Sequence, residues 1–127
     1  MNVHSNLLAV KDQDFSLQVL QSTLPVIVDF WAEWCHHCHT LAPRYAQLST
    51  LYAGKVRFAT INADENPQIA AQFGVQGLPT LILFNAGQPI AHIVGPQPAR
   101  LQQRIEQALI ENQLASSIPV GERLEAK

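Results

Sequence analysis

The run Val26-Ile27-Val28-Asp29-Phe30 places apolar residues at consecutive rather than alternate positions, the pattern of a strand covered on both faces in a parallel or mixed sheet. It predicts a central strand. Residues 7–10 form a shorter strand candidate, and Asp12 or Asp14 is placed to cap a helical stretch over 15–21 that turns Phe15, Val19 and Leu20 inward. After Cys35, Leu41, Tyr45, Leu48 and Tyr52 recur at helical spacing, with Gly54 as the stop and Pro43 predicting a kink. A further strand follows over 56–61, and Asn66-Pro67 reads as a cap followed by proline at the first helical position, opening a short helix to Phe73. The alternation of strand and helix then stops. Residues 80–84 and 90–94 are two strands separated by the turn Asn85-Ala86-Gly87-Gln88, close enough for an antiparallel hairpin. A last helix over 99–112 presents Leu101, Ile105, Ala108 and Leu109 on one side. The sum is an α/β domain: a mixed central sheet with helices on both faces.

Composition narrows the function. A chain of 127 residues, 47% hydrophobic, suits one core. We expect a single domain over 1–112, with 113–127 a tail or short appended element whose Ser116, Ser117, Pro119 and Gly121 argue against required packing. A net charge of -2, with eight Lys and Arg scattered from Lys11 to Lys127, offers no basic stripe for nucleic acid. No Lys or Arg precedes Lys11 and no apolar stretch exceeds a strand's length, so neither a targeting segment nor a membrane span is expected and the chain is placed in the cytoplasm.

Both cysteines lie in Cys35-His36-His37-Cys38-His39, directly after the central strand. Strand, C-x-x-C, helix is the layout of a redox dithiol. Two thiols three apart at a helix start can close a small disulfide ring, and the unpaired N–H groups of the first turn stabilise the first sulfur as thiolate. Cys35 is the expected nucleophile. Structural zinc is the rival reading, drawing on His36, His37, His39 and His92. Neighbouring residues rarely reach one tetrahedral centre together, however, and there is no second C-x-x-C or H-x₃₋₅-H pair, so no metal is expected.

With these motifs in order, the chain resembles the thioredoxin family from about Leu7 to Asn112. Val28-Asp29-Phe30-Trp31-Ala32-Glu33-Trp34-Cys35 is similar to the family's active-site strand and turn, and Leu41-Ala42-Pro43 to the kinked helix behind it. Gly77-Leu78-Pro79-Thr80 looks like the family's cis-proline loop, and Val94-Gly95 like its groove glycine. The resemblance implies a thioredoxin fold, a five-stranded mixed sheet flanked by four helices with the cis-proline loop beside the active site. It implies reversible exchange with protein disulfides, no bound cofactor, a monomer, and recharging by a flavoprotein thioredoxin reductase. Cys35 then attacks and Cys38 resolves. Trp34, Leu78, Pro79 and Gly95 form the substrate surface, and Asp29 is the buried carboxylate beneath the disulfide. Independently of the resemblance, a carboxylate in an apolar run suffers desolvation that raises its pKa, which suits it to exchange the proton of Cys38 near neutral pH.

Three features depart from the family pattern. Between the cysteines stands His-His rather than Gly-Pro. Imidazolium near sulfur favours thiolate, so His36 and His37 are candidate redox tuners that make the disulfide a better oxidant; His37, between the two sulfurs, is favoured, while His36 and His39 otherwise read as solvated helix residues. Thr60 stands where many thioredoxins carry a lysine near the aspartate, and residues beyond Asn112 extend past the usual end. From another class, a thioredoxin-fold chaperone or adaptor holding clients through the groove and tail is the alternative; it would not accelerate insulin reduction by dithiothreitol.

Overall fold

A computed structural model describes residues 6–120. Five strands form one sheet: β1 (Leu7–Ala9), β2 (Val26–Trp31), β3 (Arg57–Asn62), β4 (Thr80–Asn85) and β5 (Gln88–Val94). Their spatial order is β1-β3-β2-β4-β5, with β1 and β2 parallel to β3, and β4 antiparallel to both β2 and β5. The nearly continuous apolar run is therefore the middle strand, bonded on both edges and covered on both faces. Along β2, Val26, Val28 and Phe30 join the apolar cluster with Phe15, Val19, Ile69 and Phe84, whereas Ile27 joins the cluster on the other face with Tyr45, Leu48, Leu101 and Ile105. By strand alternation Asp29 points to the same side as Ile27.

Three α-helices and an irregular helical segment supply the covers. The stretch expected over 15–21 is a 3-10 turn, Asp12–Asp14, followed by one wide turn of π type, Ser16–Leu20. Asp14 accepts a hydrogen bond from the Lys11 amide at 2.8 Å. Asp12 has a longer reach: its carboxylate accepts from the amides of Gln68 and Ile69, at 3.2 and 3.0 Å, and so caps α2 (Pro67–Gln72) from another part of the chain. Asn66 occupies the N-cap position of α2 but uses its amide oxygen to receive the Asp12 N–H, at 2.8 Å. A cap read locally as Asn66 is thus made by Asp12, 54 positions earlier in the chain.

α1 (His36–Leu51) runs continuously through Pro43 and ends before Gly54, which takes φ +81°. The β4–β5 hairpin is tighter than expected. Asn85 pairs with Gln88, leaving only Ala86 and Gly87 in the turn with φ 52° and 81°, the two positive values of a type I′ turn. Pro89 is tolerated on edge strand β5, beside a register shift at Leu83/Phe84.

The C-terminal segment differs most from expectation. After α3 (Leu101–Glu111) the chain forms a 3-10 turn, Ala115–Ser117, and inserts Ile118, only 2% exposed, into the same cluster as Leu101, Ile105 and Leu109; Leu114 and Ala115 pack against it. Low hydrophobicity across the segment hid one residue that completes the core. Of the tail or short appended element expected over 113–127, residues 114–118 include a turn packed on the core, against the reading that its composition argues against required packing, while residues 121–127 lie outside those described. Ile118→Ala should cost about 2–5 kcal/mol in urea denaturation, the range for emptying a core aliphatic site. A change under about 0.5 kcal/mol, typical of surface sites, would show that Ile118 is not core.

Candidate active site

Cys35 sits at the hinge between β2 and α1. Its backbone is extended, φ -86° and ψ 103°, and it serves as N-cap of α1: Cys35 Sγ accepts a hydrogen bond from the Cys38 amide at 3.1 Å. A sulfur in the capping position faces the unsatisfied N–H groups of the first turn and the positive end of the helix dipole, both of which stabilise negative charge. Cys35 and Cys38 are joined by a disulfide with Cα atoms 5.3 Å apart, and both are buried. Ala32 lies with them, and Trp31 and Leu78 pack against them.

Two loops from the far half of the chain complete the surroundings. The Leu78–Pro79 peptide is cis, and the Gly95 amide donates to the Pro79 carbonyl at 2.9 Å, tying the loop before β4 to the end of β5. Gly95 has φ +59°, which a side chain rarely adopts. Trp34 is 70% exposed, yet its indole is oriented: Nε1 donates to Asp64 Oδ2 at 2.8 Å. An exposed aromatic held by one hydrogen bond presents apolar surface at little entropic cost. Asp64 carried no signal in the sequence, because its partner stands 30 residues away.

The histidines separate. His36 is exposed. His37 is half-buried and turns toward the Gly95 loop, its Nε2 donating to the Pro96 carbonyl at 3.0 Å; a carbonyl only accepts, so that nitrogen carries the proton. His39 lies on the other side, with Nε2 donating to the Glu33 carbonyl at 2.7 Å and its ring edge-on to Trp31. His92 is exposed on β5. Among the described residues no three His, Cys, Asp or Glu side chains gather as a metal site.

Beneath the disulfide lies a cavity of about 260 Å³. Its lining takes Asp29 and Trp31 from β2, Thr60 from β3, Glu33 from the connecting turn, and Cys38, His39 and Ala42 from α1. Asp29 is 4% exposed, and its Oδ1 has no hydrogen-bond partner. Desolvation pushes its carboxyl up to about 7. Tyr45 stands near: its hydroxyl donates to the carbonyls of Ile27 and Ala59, at 3.0 and 2.7 Å, bridging β2 and β3. Burial, and then the Asp29 charge, hold that phenol well above its usual range. The arrangement brings Asp29 and Cys38, nine residues apart in sequence, to the lining of one cavity that opens to solvent.

The comparisons with known proteins agree with this geometry. The thioredoxin family model matches residues 6–107. Thioredoxin 1 of Nostoc sp. is 43% identical over 101 residues, covering 79% of this chain and 94% of the relative. Thioredoxin of Synechocystis sp. is 46% identical over 89 residues, covering 70% and 83%. Thioredoxin of Haemophilus influenzae is 43% identical over 94 residues, covering 74% and 88%.

Asp29 also makes stability depend on pH. Its folded pKa, about 7, exceeds the ordinary 3.8, so between these values the folded state holds a proton that the unfolded state has lost. The protein should therefore lose stability as pH rises through that window. Asp29→Asn should stabilise the protein by roughly 2–3 kcal/mol more at pH 8 than at pH 5, read from urea curves at the two values. An equal effect at both would place the folded pKa of Asp29 at its ordinary value.

Proposed function

The chain belongs to the thioredoxin family and is a thiol-disulfide oxidoreductase, and from that premise we propose that Cys35 and Cys38 exchange disulfides with protein substrates in an ordered pair of attacks. The observation that carries the assignment is the capping position of Cys35, whose sulfur alone faces the helix N-terminus. In the reduced protein the Cys35 thiolate attacks a substrate disulfide, forming a mixed disulfide and expelling one substrate thiolate. The Cys38 thiol passes its proton to the Asp29 carboxylate and, as thiolate, attacks Cys35 Sγ. The Cys35–Cys38 bond forms, the mixed disulfide breaks, and the second substrate thiolate leaves. The substrate disulfide is reduced by two electrons and the protein dithiol oxidised by two. Run backward, the same steps oxidise a substrate dithiol.

Trp34, Leu78, Pro79 and Gly95 form the surface for the substrate's cysteine segment. The Leu78 backbone, turned by the cis bond, pairs with an extended chain there, so specificity rests on main chain and shape. A flavoprotein thioredoxin reductase recharges the disulfide, without a cofactor bound to this chain. The chain acts as a monomer in the cytoplasm; among the described residues no helix is long and apolar enough to cross a membrane.

His36 and His37 shift the couple toward oxidation. His37 is held beside the groove by Pro96, and its bond donates through Nε2–H, which suits the imidazolium as well as the neutral ring. A cation there stabilises the Cys35 thiolate and so the reduced protein. Each unit of thiol pKa is worth about 1.4 kcal/mol, or roughly 30 mV for two electrons. Replacing His36-His37 by Gly-Pro should raise the Cys35 pKa and lower the potential by some tens of mV in glutathione buffers. An unchanged or higher potential returns both histidines to solvated surface.

The order of attack has a direct test. Cys38→Ser should accumulate as a mixed disulfide with substrate by mass spectrometry, because only the second thiol releases the first, while Cys35→Ser should form none. Equal trapping by both variants would remove the assignment of roles.

A further inference from the structure

The cavity holding Asp29 and Cys38 has an exposed end, where His39 stands with half its side chain in solvent beside Glu33. We infer that His39 is a proton relay between the Asp29–Cys38 cavity and solvent. The inference rests on the reading of Asp29 as the base for Cys38. A carboxyl 4% exposed must give up its own proton to water before it can take that of Cys38 in the resolving step, and the cavity it lines is open to solvent. Its volume of about 260 Å³ has room for a short chain of water molecules.

The fixed atoms of His39 suit the task. Nε2 donates to the Glu33 carbonyl at 2.7 Å, which sets the neutral tautomer and leaves Nδ1 with the lone pair. The edge-on contact with Trp31, ring centroids 6.1 Å apart, buttresses the imidazole. The Glu33 carboxylate stands 4.0 Å from Nε2. The titratable groups facing this space are Asp29 from β2, Glu33 from the turn, Cys38 and His39 from α1, with the Tyr45 phenol coupled to Asp29. The lining contains no lysine or arginine, so His39 is its one basic side chain, with a lone pair on Nδ1 that can accept a proton. The proton passes from Asp29 through water to Nδ1 and then to bulk solvent, and no electrons move in this step.

The test follows single-turnover oxidation of the reduced protein by a glutathionylated peptide through tryptophan fluorescence, across about pH 5.5 to 8.5. His39→Ala should slow the resolving step roughly fivefold near neutral pH, less than loss of a direct base. Added imidazole should restore the rate of His39→Ala, while His39→Gln, which keeps a donor for the Glu33 carbonyl but cannot take up a proton, should remain slow. In an Asp29→Asn background His39→Ala should change nothing further. If Asp29→Asn slows resolution and His39→Ala does not, water alone carries the proton and the relay is overturned while the reading of Asp29 stands. A slow His39→Ala that imidazole leaves slow and His39→Gln repairs makes His39 structural and overturns it too. If Asp29→Asn itself reacts at the wild-type rate, the base assignment falls and the relay with it.

Discussion

The structure depends on β2 being hydrogen-bonded along both edges and buried on both faces. A strand in that position cannot shift register without turning its whole side-chain set over and breaking two ladders, so its end is a fixed point. Cys35 follows that end by four residues, Ala32 to Cys35 closing the turn with a backbone hydrogen bond of 3.1 Å. The site inherits its precision from the strand, and α1 starts where the strand leaves off.

The same burial makes Asp29 thermodynamically expensive. Its register partners on β2's two neighbours are Thr60 and Leu81, neither of which carries a charge to balance it. Desolvation is then the leading influence on the carboxyl, which is why its pKa moves toward neutrality instead of falling as a paired carboxylate's does. A hydrophobic residue would pack better there. The stability given up leaves a carboxyl lining one cavity with Cys38.

Around this strand, distant contacts fix the pieces that chemistry needs. The Tyr45 hydroxyl bonds carbonyls on both β2 and β3, locking α1 to the sheet beneath the disulfide. Asp12 caps α2 from a segment far away in sequence, and the Gly95 amide holds the cis-proline loop by the Pro79 carbonyl. Ile118 fills the far end of the core on the α1 and α3 face.

The sequence alone determined the elements whose signal is local: the two-faced run of β2, the helical spacing of Leu41, Tyr45, Leu48 and Tyr52, the C-x-x-C at a strand-to-helix junction, and a carboxylate stranded among apolar neighbours. Each is a statement about adjacent residues and their solvation, which periodicity reports directly. Tertiary structure decided everything that needed a partner far along the chain. It turned the stretch after Lys11 into 3-10 and π turns, because Asp12 is drawn to the amides of Gln68 and Ile69. It tightened the hairpin to a two-residue turn and buried Ile118 from a segment that reads as polar tail. It also separated three histidines of one short motif, sending His37 to Pro96 and His39 to Glu33 while His36 stays in water. Successive helical residues point about 100° apart, so neighbours in sequence meet different surroundings, and only the folded chain supplies those surroundings.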